Sequence, residues 1–452
     1  MSLQKGQILE LEISDLSHDG RGVAHINNFA IFVPGALPGE RAEVQVTEVK
    51  KRYGQGLLLK IISPSSARVE PSCPVYPLCG GCQIQHLSYP EQLAAKQRRV
   101  AEALKRIGKL QGTVLPIIGM DNPWQYRNKA LLPFAKTASG EILLGCFEKG
   151  THNVVDIKCC LIQHEAQQTA LAKVRELVRK YNLSIYDERT GKGLLRHLLV
   201  RTGFRTGEML LGLVTTKEPF PKSNQFAAEL ADSLDGLVGV VRNINDKRTN
   251  VILGHETKLL WGRPVLYDEI LGVRYTISAT SFFQVNPVGM EVLYQKVLDA
   301  AGKFSTAVDA YCGIGSIALL LAQKGEKVFG IEVIPSAISD AKANAQLNGI
   351  DNAAFLEGKV EDVLPQLIDE DIDLDLAVLD PPRKGCDEIV LDAIAKAEIP
   401  KVVYVSCNPS TLARDLAVLA QKGYETKWVQ PVDMFPQTFH VECVTLMSKV
   451  EK

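Results

Sequence analysis

A cysteine stands at a turn between a strand and a helix in the C-terminal half of the chain. Cys407 follows the apolar run Lys401 to Val405 and lies in Ser406-Cys407-Asn408-Pro409, directly before a helix predicted to begin near Ser410. The free N–H groups of a helix start favour a thiolate, and a thiolate is a nucleophile. Most cysteines in apolar strands are only small buried hydrophobic residues. The polar turn around Cys407 instead predicts a nucleophile at the edge of a sheet.

A second group of residues has the pattern of a nucleoside-binding site. Asp309-Ala310-Tyr311-Cys312-Gly313-Ile314-Gly315 is predicted to be a strand end that enters a glycine turn and a helix, and the next strand ends at Glu332. Glycines let a ligand approach the backbone closely, and a strand-end carboxylate can bind ribose hydroxyls. The stretch is not G-x-G-x-x-G, and it predicts a nucleoside-containing cofactor. A turn that serves only tight strand–helix packing is the structural alternative.

Two further carboxylates accompany strands. Asp380-Pro381-Pro382-Arg383 follows the strand Leu374 to Leu379, and its consecutive prolines fix an extended loop that can hold a carboxylate and a guanidinium toward a pocket. Near the C-terminus, Glu442 is predicted to lie on the opposite face of its strand from both sequence neighbours. Taken singly, the first stretch is also compatible with a structural loop and the second with a solvent-facing side chain.

The composition is that of a globular protein. The 452 residues are 46% hydrophobic and 23% charged, which disfavours extended disorder, collagen and coiled coil and suggests about three domains. The formal net charge is -1, but residues 1–130 hold 16 Lys and Arg against 11 Asp and Glu, so the N-terminal part suits a polyanion better. Since neither a signal peptide nor a membrane span is recognisable, we expect a cytosolic protein. There, ten cysteines favour metal binding or catalysis over disulfides.

Three differently patterned regions must position these residues. Residues 1–65 alternate apolar and polar positions between Gly and Pro, which predicts a small OB-like β-barrel, and its Lys50-Lys51-Arg52-Tyr53 tip is either a solvated hairpin or an RNA contact. Residues 66–264 have an α+β pattern with a basic helix over Tyr89 to Ile107. From 265 to 452, strands alternate with helices, which predicts an α/β Rossmann-like domain with ligands at the carboxyl ends of its strands.

Five motifs, taken in order, resemble those of one enzyme family. The S-adenosylmethionine-dependent RNA uracil-5-methyltransferases have motifs similar to Phe282-Phe283-Gln284-Val285-Asn286, Asp309 to Gly315, Asp380 to Arg383, Ser406 to Pro409 and His440 to Glu442. Asp19 to Ala24 and Val33-Pro34-Gly35 are similar to the RNA-binding TRAM domain, so the resemblance covers essentially the whole chain. Within this family, the TRAM domain implies the bacterial 23S ribosomal RNA branch rather than the tRNA branch.

The resemblance implies a covalent route to methylation of uracil C5. Cys407 would add to C6 of the ring, and Glu442 would remove the C5 proton after methyl transfer. A thiol near its reference pKa of about 8.5 is mostly protonated at pH 7, so either the site depresses the pKa of Cys407 or substrate binding deprotonates the thiol. Phe282 would contact an extruded uridine, with Asp380 and Arg383 orienting the ring. The implied S-adenosylmethionine site is Gln284, Tyr311, Glu332 and Asp380, with Ser316 and Gly358 as weaker candidates.

The resemblance also implies an iron–sulfur site between residues 66 and 264. Cys73, Cys79, Cys82 and Cys160 are similar to the ligand set of a [4Fe–4S] cluster. Cys159, next to Cys160, leaves the choice of the fourth ligand open. From spacing alone zinc is the main rival of the cluster, and empty reduced thiols are the remaining alternative. The other cysteines are predicted to be structural: Cys146, Cys312, Cys386 and Cys443.

Alternatives in other classes each explain part of the sequence. A non-catalytic RNA-binding protein would not need Cys407 and Glu442, and an iron–sulfur redox protein leaves the cofactor motifs unexplained. An amino-group methyltransferase needs no nucleophilic thiol, whereas a tRNA uracil-5-methyltransferase would share all the chemistry. We therefore expect a cytoplasmic enzyme, favoured as a monomer and without membrane association, that acts on 23S ribosomal RNA.

Overall fold

The N-terminal region folds into a closed β-barrel in the computed structural model, which describes residues 3–370 and 372–450. Its strands are β1 (Ile8–Leu16), β2 (Gly22–Ile26), β3 (Phe29–Val33), β4 (Arg41–Val49) and β5 (Tyr53–Ser63), which close in the order β1-β2-β3-β5-β4. Alternation along the strands turns apolar side chains such as Leu11, Ile31 and Val44 into the interior. A Cβ at Gly56 would overlap Val44 Cγ1, so closure requires a glycine there. The predicted small barrel is confirmed.

One helix follows the barrel. α1 (Tyr89–Ala103) continues into a π-helical turn, Leu104–Gly108, which ends at Lys109 in a left-handed conformation with φ 51°. The prediction of one regular helix as far as Ile107 is therefore wrong in its last turn. The wider turn brings Gly108 against the backbone of Ala413, where a Cβ would lie 2.9 Å from the carbonyl oxygen. Close packing thus overrides the regular helical pattern.

The central region is a seven-stranded sheet with helices. Its strands are β6 (Lys129–Lys136), β7 (Ile142–Phe147), β8 (Val154–Asp156), β9 (Leu195–Thr202), β10 (Met209–Thr215), β11 (Leu237–Ile244) and β12 (Glu256–Gly262), in the order β12-β11-β10-β9-β6-β7-β8. Only β10 and β11 pair in parallel. The apolar sides of α2 (Glu165–Lys180) and α3 (Ser223–Ala231) pack on the sheet, with Val174, Leu198 and Phe226 in one core. The predicted α+β arrangement is confirmed.

The C-terminal region contains the mainly parallel sheet that the sequence predicts. A hairpin of β13 (Val265–Ile270) and β14 (Val273–Ser278) precedes it. The sheet strands are β15 (Thr306–Ala310), β16 (Lys327–Glu332), β17 (Ala353–Glu357), β18 (Leu376–Leu379), β19 (Lys401–Ser406), β20 (Tyr424–Val432) and β21 (Glu442–Lys449). The helices are α4 (Pro287–Ala301), α5 (Ser316–Ala322), α6 (Pro335–Leu347), α7 (Val360–Asp369), α8 (Glu388–Lys396) and α9 (Pro409–Gln421).

The strand order of this sheet determines where a ligand can bind. The order is β17-β16-β15-β18-β19-β21-β20, with the first five strands parallel and β21 antiparallel to both neighbours. The chain moves outward from β15 to β17 and then returns to β18 on the other side of β15. In open α/β sheets, ligands bind outside the carboxyl ends of the strands where the order reverses. The crevice therefore lies at the ends of β15 and β18.

The segment before the central sheet packs on the C-terminal sheet. The side chain of Lys96 in α1 pairs with Asp433 at 2.6 Å, and neither side chain is accessible to solvent. Val114 and Ile118 form isolated parallel bridges with Val429 and Val432. The domain limits of 1–65, 66–264 and 265–452 remain predictions. Among the described helices, none is both long and apolar enough for a membrane span.

The barrel contacts the stretch of chain that leads into β21. Leu37 of the barrel forms a small apolar cluster with Ile84, Leu87 and Phe439. Gly20, at φ 89°, lies so close to Phe439 that a Cβ there would be 2.5 Å from the ring. Since Phe439 lies just before β21, the barrel reaches the neighbourhood of the residues that begin that strand.

Candidate active site

The turn that carries Cys407 has the predicted geometry. β19 ends at Ser406, and Asn408 caps α9 by accepting a hydrogen bond from the Ser410 N–H at 3.1 Å. Pro409 occupies the first helical position, where its missing N–H is tolerated. The thiol of Cys407 is half-buried in the structure.

The pKa of Cys407 is raised in the structure, whereas one of the two predicted possibilities was a depressed pKa. Burial raises the pKa of Cys407 to about 11, and the negative charges of Glu442 and Asp380 add to this effect while Arg383 opposes it. Burial and two carboxylates outweigh the helix start. A depressed pKa in the free enzyme is therefore wrong, and deprotonation upon substrate binding stays a prediction.

Glu442 lies beside this turn because of strand pairing. In the antiparallel ladder of β19 and β21, Ser406 pairs with Cys443, so Cys407 and Glu442 are the next residues beyond that pair. Glu442 is 4% exposed. Burial, followed by the charge of Asp380, raises the pKa of Glu442 well above its ordinary value, whereas Arg383 opposes the rise. Burial thus favours the protonated form of Glu442 and makes its carboxylate a stronger base than an exposed one.

The Pro-Pro loop is hydrogen-bonded to the turn that contains Cys407. The carbonyl oxygen of Arg383 accepts hydrogen bonds from Asn408 Nδ2 at 3.1 Å and from Thr411 Oγ1 at 3.2 Å. Asp380 follows β18, and burial raises the pKa of its carboxyl to about 6. The guanidinium of Arg383 is the cation that lowers the pKa of both Cys407 and Glu442. The loop therefore brings one carboxyl group, that of Asp380, and one cation, that of Arg383, close to Cys407 and Glu442. The cation favours the ionised forms of both groups.

Asp309 is a further acid that motif reasoning did not select as a site residue. Its carboxyl is 1% exposed, and neither oxygen has a hydrogen-bond partner among the described residues. Burial raises the pKa of Asp309 far above its ordinary value, with the charges of Asp380 and Glu332 acting in the same direction. An acid near the end of a mostly apolar strand, four residues before Gly313, was the available signal.

The carboxyl ends of β15, β16 and β17 bring three predicted cofactor residues together. Glu332 Oε2 accepts the Gly313 N–H at 3.2 Å, and the Glu332 carbonyl oxygen accepts the Gly358 N–H at 3.0 Å. Tyr311 has a φ of 74°, a left-handed conformation that is strained for a bulky residue. Ser316 begins α5 directly after this turn. The three strand ends thus lie together with the Glu332 carboxylate among them, which is the group expected to bind ribose hydroxyls.

The Phe282 to Asn286 stretch lies before α4 and has an alternating pattern of exposure. Phe282 is 73% exposed, whereas Phe283 is 2% exposed and Gln284 is 8% exposed. The Gln284 carbonyl oxygen accepts a hydrogen bond from Asn128 Nδ2 at 2.9 Å. An aromatic ring left in solvent by a buried neighbour is available to stack on a base.

The predicted cluster cysteines line a separate cavity of about 340 Å³ in the central region. Cys73, Cys79, Cys82 and Cys160 are joined there by Cys146 and Cys159. Cys146 was predicted to be structural, but it lines this cavity and its thiol hydrogen-bonds with that of Cys79. The side chains lining the described cavity also include Arg127 and Lys129 and no carboxylate.

The same thiols do not form a ready metal site. In the parts of the chain that the structure describes, no three or more His, Cys, Asp or Glu side chains are arranged to hold a metal ion. The structure thus gives no support to the zinc alternative, and it does not show the predicted iron–sulfur cluster.

Comparison with known proteins agrees with the fold and the motifs. The model of the tRNA (Uracil-5-)-methyltransferase family matches residues 88–450. The chain belongs to the RNA uracil-5-methyltransferase family. An uncharacterized RNA methyltransferase of Listeria innocua is 48% identical over 448 residues, which cover 99% of this chain and 98% of the relative. A Clostridium tetani protein with the same description is 46% identical, covering 99% and 97%.

A solved structure of this family matches almost the whole chain. It is the Pyrococcus abyssi tRNA (uracil-54, C5)-methyltransferase in complex with S-adenosyl-L-homocysteine, with 27% sequence identity and a TM-score of 0.78. The match covers 97% of this chain and 99% of that chain. The present RNA uracil-5-methyltransferase uses S-adenosylmethionine, in agreement with the prediction.

The barrel is the family's RNA-binding appendage. The TRAM domain model matches residues 2–59, which contain β1 to β4 and most of β5. The predicted TRAM domain and an RNA substrate are thereby confirmed. Because the Pyrococcus abyssi structure matches 97% of this chain, a barrel in this position accompanies a tRNA enzyme as well.

Proposed function

We propose that this RNA uracil-5-methyltransferase methylates C5 of uridines in 23S ribosomal RNA through a covalent bond between Cys407 and uracil C6. The observation that carries the chemistry is the pairing of Ser406 with Cys443, which brings Cys407 beside Glu442. Uracil C5 is a poor nucleophile until a nucleophile has added at C6. A thiol and a buried base at one end of two paired strands suit that addition and the later proton removal.

The first step uses Cys407 and the Pro-Pro loop. When RNA enters, the thiol passes its proton to solvent water, and the sulfur forms a bond to C6 while the C5–C6 double-bond electrons move toward the C4 carbonyl, which becomes an enolate. Asp380 and Arg383 orient the ring, and the guanidinium of Arg383 stabilises negative charge on both sulfur and ring. Phe282 contacts the extruded base, which has left its stack at a cost of a few kcal/mol.

The second half of the reaction uses Glu442. After C5 has gained the methyl group, it still carries its hydrogen, which Glu442 removes as a proton. The electrons of that C–H bond restore the C5–C6 double bond as the Cys407 sulfur leaves C6. A buried carboxylate with a raised pKa is suited to accept this proton.

S-adenosylmethionine, when bound, supplies an electrophilic methyl group on a sulfonium sulfur. We assign its binding to Gln284, Tyr311, Glu332 and Asp380, with Ser316 and Gly358 at the margin of the site. Glu332 accepts hydrogen bonds from the N–H groups of Gly313 and Gly358. These bonds support the assignment, because they hold the ends of β15, β16 and β17 next to one another.

A trapping experiment tests the chemistry. Wild-type protein, Cys407→Ala and Glu442→Gln are incubated with S-adenosylmethionine and 23S RNA fragments that contain 5-fluorouridine, and the products are analysed by mass spectrometry. Fluorine cannot leave C5 as a proton does, so we expect a methylated protein–RNA adduct with wild type and with Glu442→Gln but not with Cys407→Ala. Cys443→Ala removes a buried neighbouring thiol and should retain the adduct. Methylated product without any adduct would contradict the covalent route.

The target RNA requires its own test, since a tRNA is the second candidate. The resemblance to the bacterial 23S branch, which associates that branch with a TRAM domain, supports ribosomal RNA, whereas the Pyrococcus abyssi tRNA enzyme, which this chain matches over the barrel too, supports tRNA. Nucleoside mass spectrometry of separated 23S RNA and tRNA from a strain without this gene distinguishes them. We propose that the enzyme acts in the cytoplasm, and we expect 5-methyluridine to be lost from the 23S RNA of this strain and retained in its tRNA. Its loss from tRNA alone would contradict the ribosomal target.

We also propose that Cys73, Cys79, Cys82 and Cys160 hold a [4Fe–4S] cluster. Six thiols line the cavity together with the cations Arg127 and Lys129, and no carboxylate does. Four of the thiols, as thiolates, could ligate a cluster, and the two cations would offset the net negative charge of the ligated cluster. It would join the chain around residue 73 to that around residue 160.

Reconstitution tests the cluster. Protein treated anaerobically with ferrous iron and sulfide should retain about four iron atoms per chain, and Cys73→Ser should retain fewer. Cys159→Ser and Cys160→Ser identify the fourth ligand, because only the ligand variant should lose iron. Cys146→Ser is the matched control within the cavity. Equal iron retention in all variants would contradict the assignment.

A further inference from the structure

A short segment, residues 125–128, lies between the cysteine cavity and the active site. On the cavity side, the Gln125 N–H donates to the Leu161 carbonyl oxygen at 2.8 Å, and the Arg127 N–H donates to the Ile162 carbonyl oxygen at 2.9 Å. Both acceptors immediately follow Cys160. The segment is therefore bonded as a strand-like partner to the chain that carries the fourth proposed cluster ligand.

On the other side, Asn128 holds the loop that carries the first motif. This loop, residues 281–286, contains the Phe282 to Asn286 motif and is called the 281–286 loop below. The Asn128 N–H donates to the Val285 carbonyl oxygen at 2.8 Å, and Asn128 Nδ2 donates to the Gln284 carbonyl oxygen at 2.9 Å. One residue thus fixes two consecutive carbonyl groups, and with them the backbone orientation of Gln284. Asn128 is 4% exposed, so water does not compete for these bonds.

Tyr126 makes a second connection from the same segment. Its ring is 1% exposed and packs in one cluster with Cys73 and Cys82. Its hydroxyl donates to the Pro436 carbonyl oxygen at 2.9 Å, on the stretch that leads to β21 and Glu442. Val285 of the 281–286 loop itself lines the cysteine cavity. The cavity therefore touches both sides of the active site through packed and hydrogen-bonded neighbours.

We propose that Asn128 is a positioning residue that fastens the 281–286 loop to the cysteine site, so that a cluster in the cavity strengthens binding of the methyl donor. The proposal rests on the assignment of Gln284 to the cofactor site and of the cluster to the cavity. Filling the cavity restrains Val285 and residues 125–128, and Asn128 passes that restraint to Gln284. The cluster acts here as a structural crosslink, without a change in its oxidation state.

Calorimetry with S-adenosylhomocysteine tests the proposal on the full chain, with and without reconstituted cluster. In wild type, removal of the cluster should weaken binding about tenfold, the worth of one or two well-made hydrogen bonds. Asn128→Ala should bind about tenfold more weakly than metal-free wild type and should no longer respond to the cluster. Hydrogen exchange of peptides covering residues 281–286 should become faster in the same samples in which binding weakens.

Asn243→Ala is the matched control. Asn243 is 1% exposed and donates its amide to Gly254 and Thr257 in the same central sheet, away from the cavity lining. It should lower the melting temperature as Asn128→Ala does while leaving the KM for S-adenosylmethionine and the response to the cluster at wild-type values. Wild-type binding by Asn128→Ala, or an equal loss in Asn243→Ala, overturns the positioning role.

The failure of the cluster proposal is distinguishable from that of the positioning role. If wild-type protein retains no iron, the cluster assignment and the crosslink fall together. The comparison of Asn128→Ala with Asn243→Ala in metal-free protein then still decides whether Asn128 positions Gln284. If wild-type protein retains iron but binds S-adenosylhomocysteine equally with and without it, only the crosslink is overturned.

Discussion

Ser406 and Cys443 face each other in the antiparallel ladder of β19 and β21. The residue after Ser406 is Cys407, and the residue before Cys443 is Glu442, so the ladder brings the proposed nucleophile and the proposed base together at its end. Burial and the charge of Asp380 raise the pKa of both groups, and the charge of Glu442 also raises the pKa of Cys407. With a pKa of about 11, the Cys407 thiol of the resting site is protonated at neutral pH.

The pH dependence of the reaction should follow from this protonated resting state. A pKa of about 11 for Cys407 means that the thiolate fraction increases with pH throughout the neutral and mildly alkaline range. Because kcat/KM for RNA reports the enzyme before RNA binds, it should rise continuously from pH 6 to about pH 9.5. Steady-state methyl transfer with a saturating methyl donor measures this profile. A plateau beginning near pH 8.5, the value of an ordinary thiol, would contradict it.

Arg383 should set the position of that profile. Its guanidinium lowers the pKa of both Cys407 and Glu442, so Arg383→Gln should move the profile to higher pH. A shift of one unit corresponds to about a tenfold loss of kcat/KM at pH 7.5. Arg383→Lys keeps the positive charge, so its profile of kcat/KM against pH should lie close to that of wild type. A loss in Arg383→Gln that is equal at every pH would instead indicate a role in binding alone.

The local motifs predicted the strand ends of the active site well, because glycines, prolines and polar residues mark such ends by composition. The turn at Cys407 and the parallel strands beside it follow the sequence pattern closely. The placement of Glu442 was not readable from periodicity, since it depends on the insertion of β21 between β19 and β20. Sequence spacing contains no information on which non-neighbouring strands pair.

The surroundings of the cysteines were less predictable for the same reason. Cys146 resembled a structural cysteine because its strand is apolar, yet β7 brings it to the cavity of Cys79. Asn128 carried no recognisable motif, and its two hydrogen bonds to the 281–286 loop arise only from tertiary packing. The raised pKa of Cys407 likewise results from burial and from carboxylates of distant strands, which a helix-start argument does not include.

The buried ion pair of Lys96 and Asp433 should contribute strongly to cohesion between the N-terminal half and the C-terminal sheet. Neither side chain is accessible to solvent, and Asp433 also accepts the Tyr89 hydroxyl at 3.0 Å. Lys96→Met leaves a buried carboxylate without its cation and should lower the free energy of unfolding by about 3–5 kcal/mol. Urea unfolding measures it, with Arg106→Ala as a control.

The control and a double variant make the result specific. Arg106 pairs with Glu102 on the surface of the same segment, with a 78% exposed side chain, so its removal should change stability by less than about 1 kcal/mol. Replacing both buried partners, Lys96→Met with Asp433→Leu, should recover part of the loss, because no unpaired charge remains. Equal destabilisation by Lys96→Met and Arg106→Ala would contradict this account.

Phe282 and Phe283 should separate substrate binding from stability. Phe282 is 73% exposed, so Phe282→Ala should leave the melting temperature nearly unchanged while weakening RNA binding by about 1–3 kcal/mol if the ring stacks on a base. Phe283 is 2% exposed in the C-terminal core, and Phe283→Ala should destabilise the protein by about 3–5 kcal/mol. Fluorescence anisotropy and thermal unfolding measure the two effects. RNA affinity unchanged in Phe282→Ala would remove the stacking role.

Gly20 and Gly6 should reveal whether the barrel supports the active site. Both have nearly the same φ, 89° and 88°, so an alanine meets the same backbone strain of about 1–2 kcal/mol at either position. A Cβ at Gly6 has no atom within 4 Å, whereas one at Gly20 would lie 2.5 Å from the Phe439 ring.

Phe439 is followed by the short stretch that ends at Glu442, so a displaced ring should disturb the base. Gly20→Ala should therefore reduce kcat/KM about tenfold further than Gly6→Ala. Backbone strain should lower stability in both variants, and the overlap with Phe439 should add to the loss in Gly20→Ala. Methyl-transfer kinetics and thermal unfolding of the two proteins provide the comparison. Equal kinetics would mean that the contact between Gly20 and Phe439 holds the barrel in place without affecting Glu442.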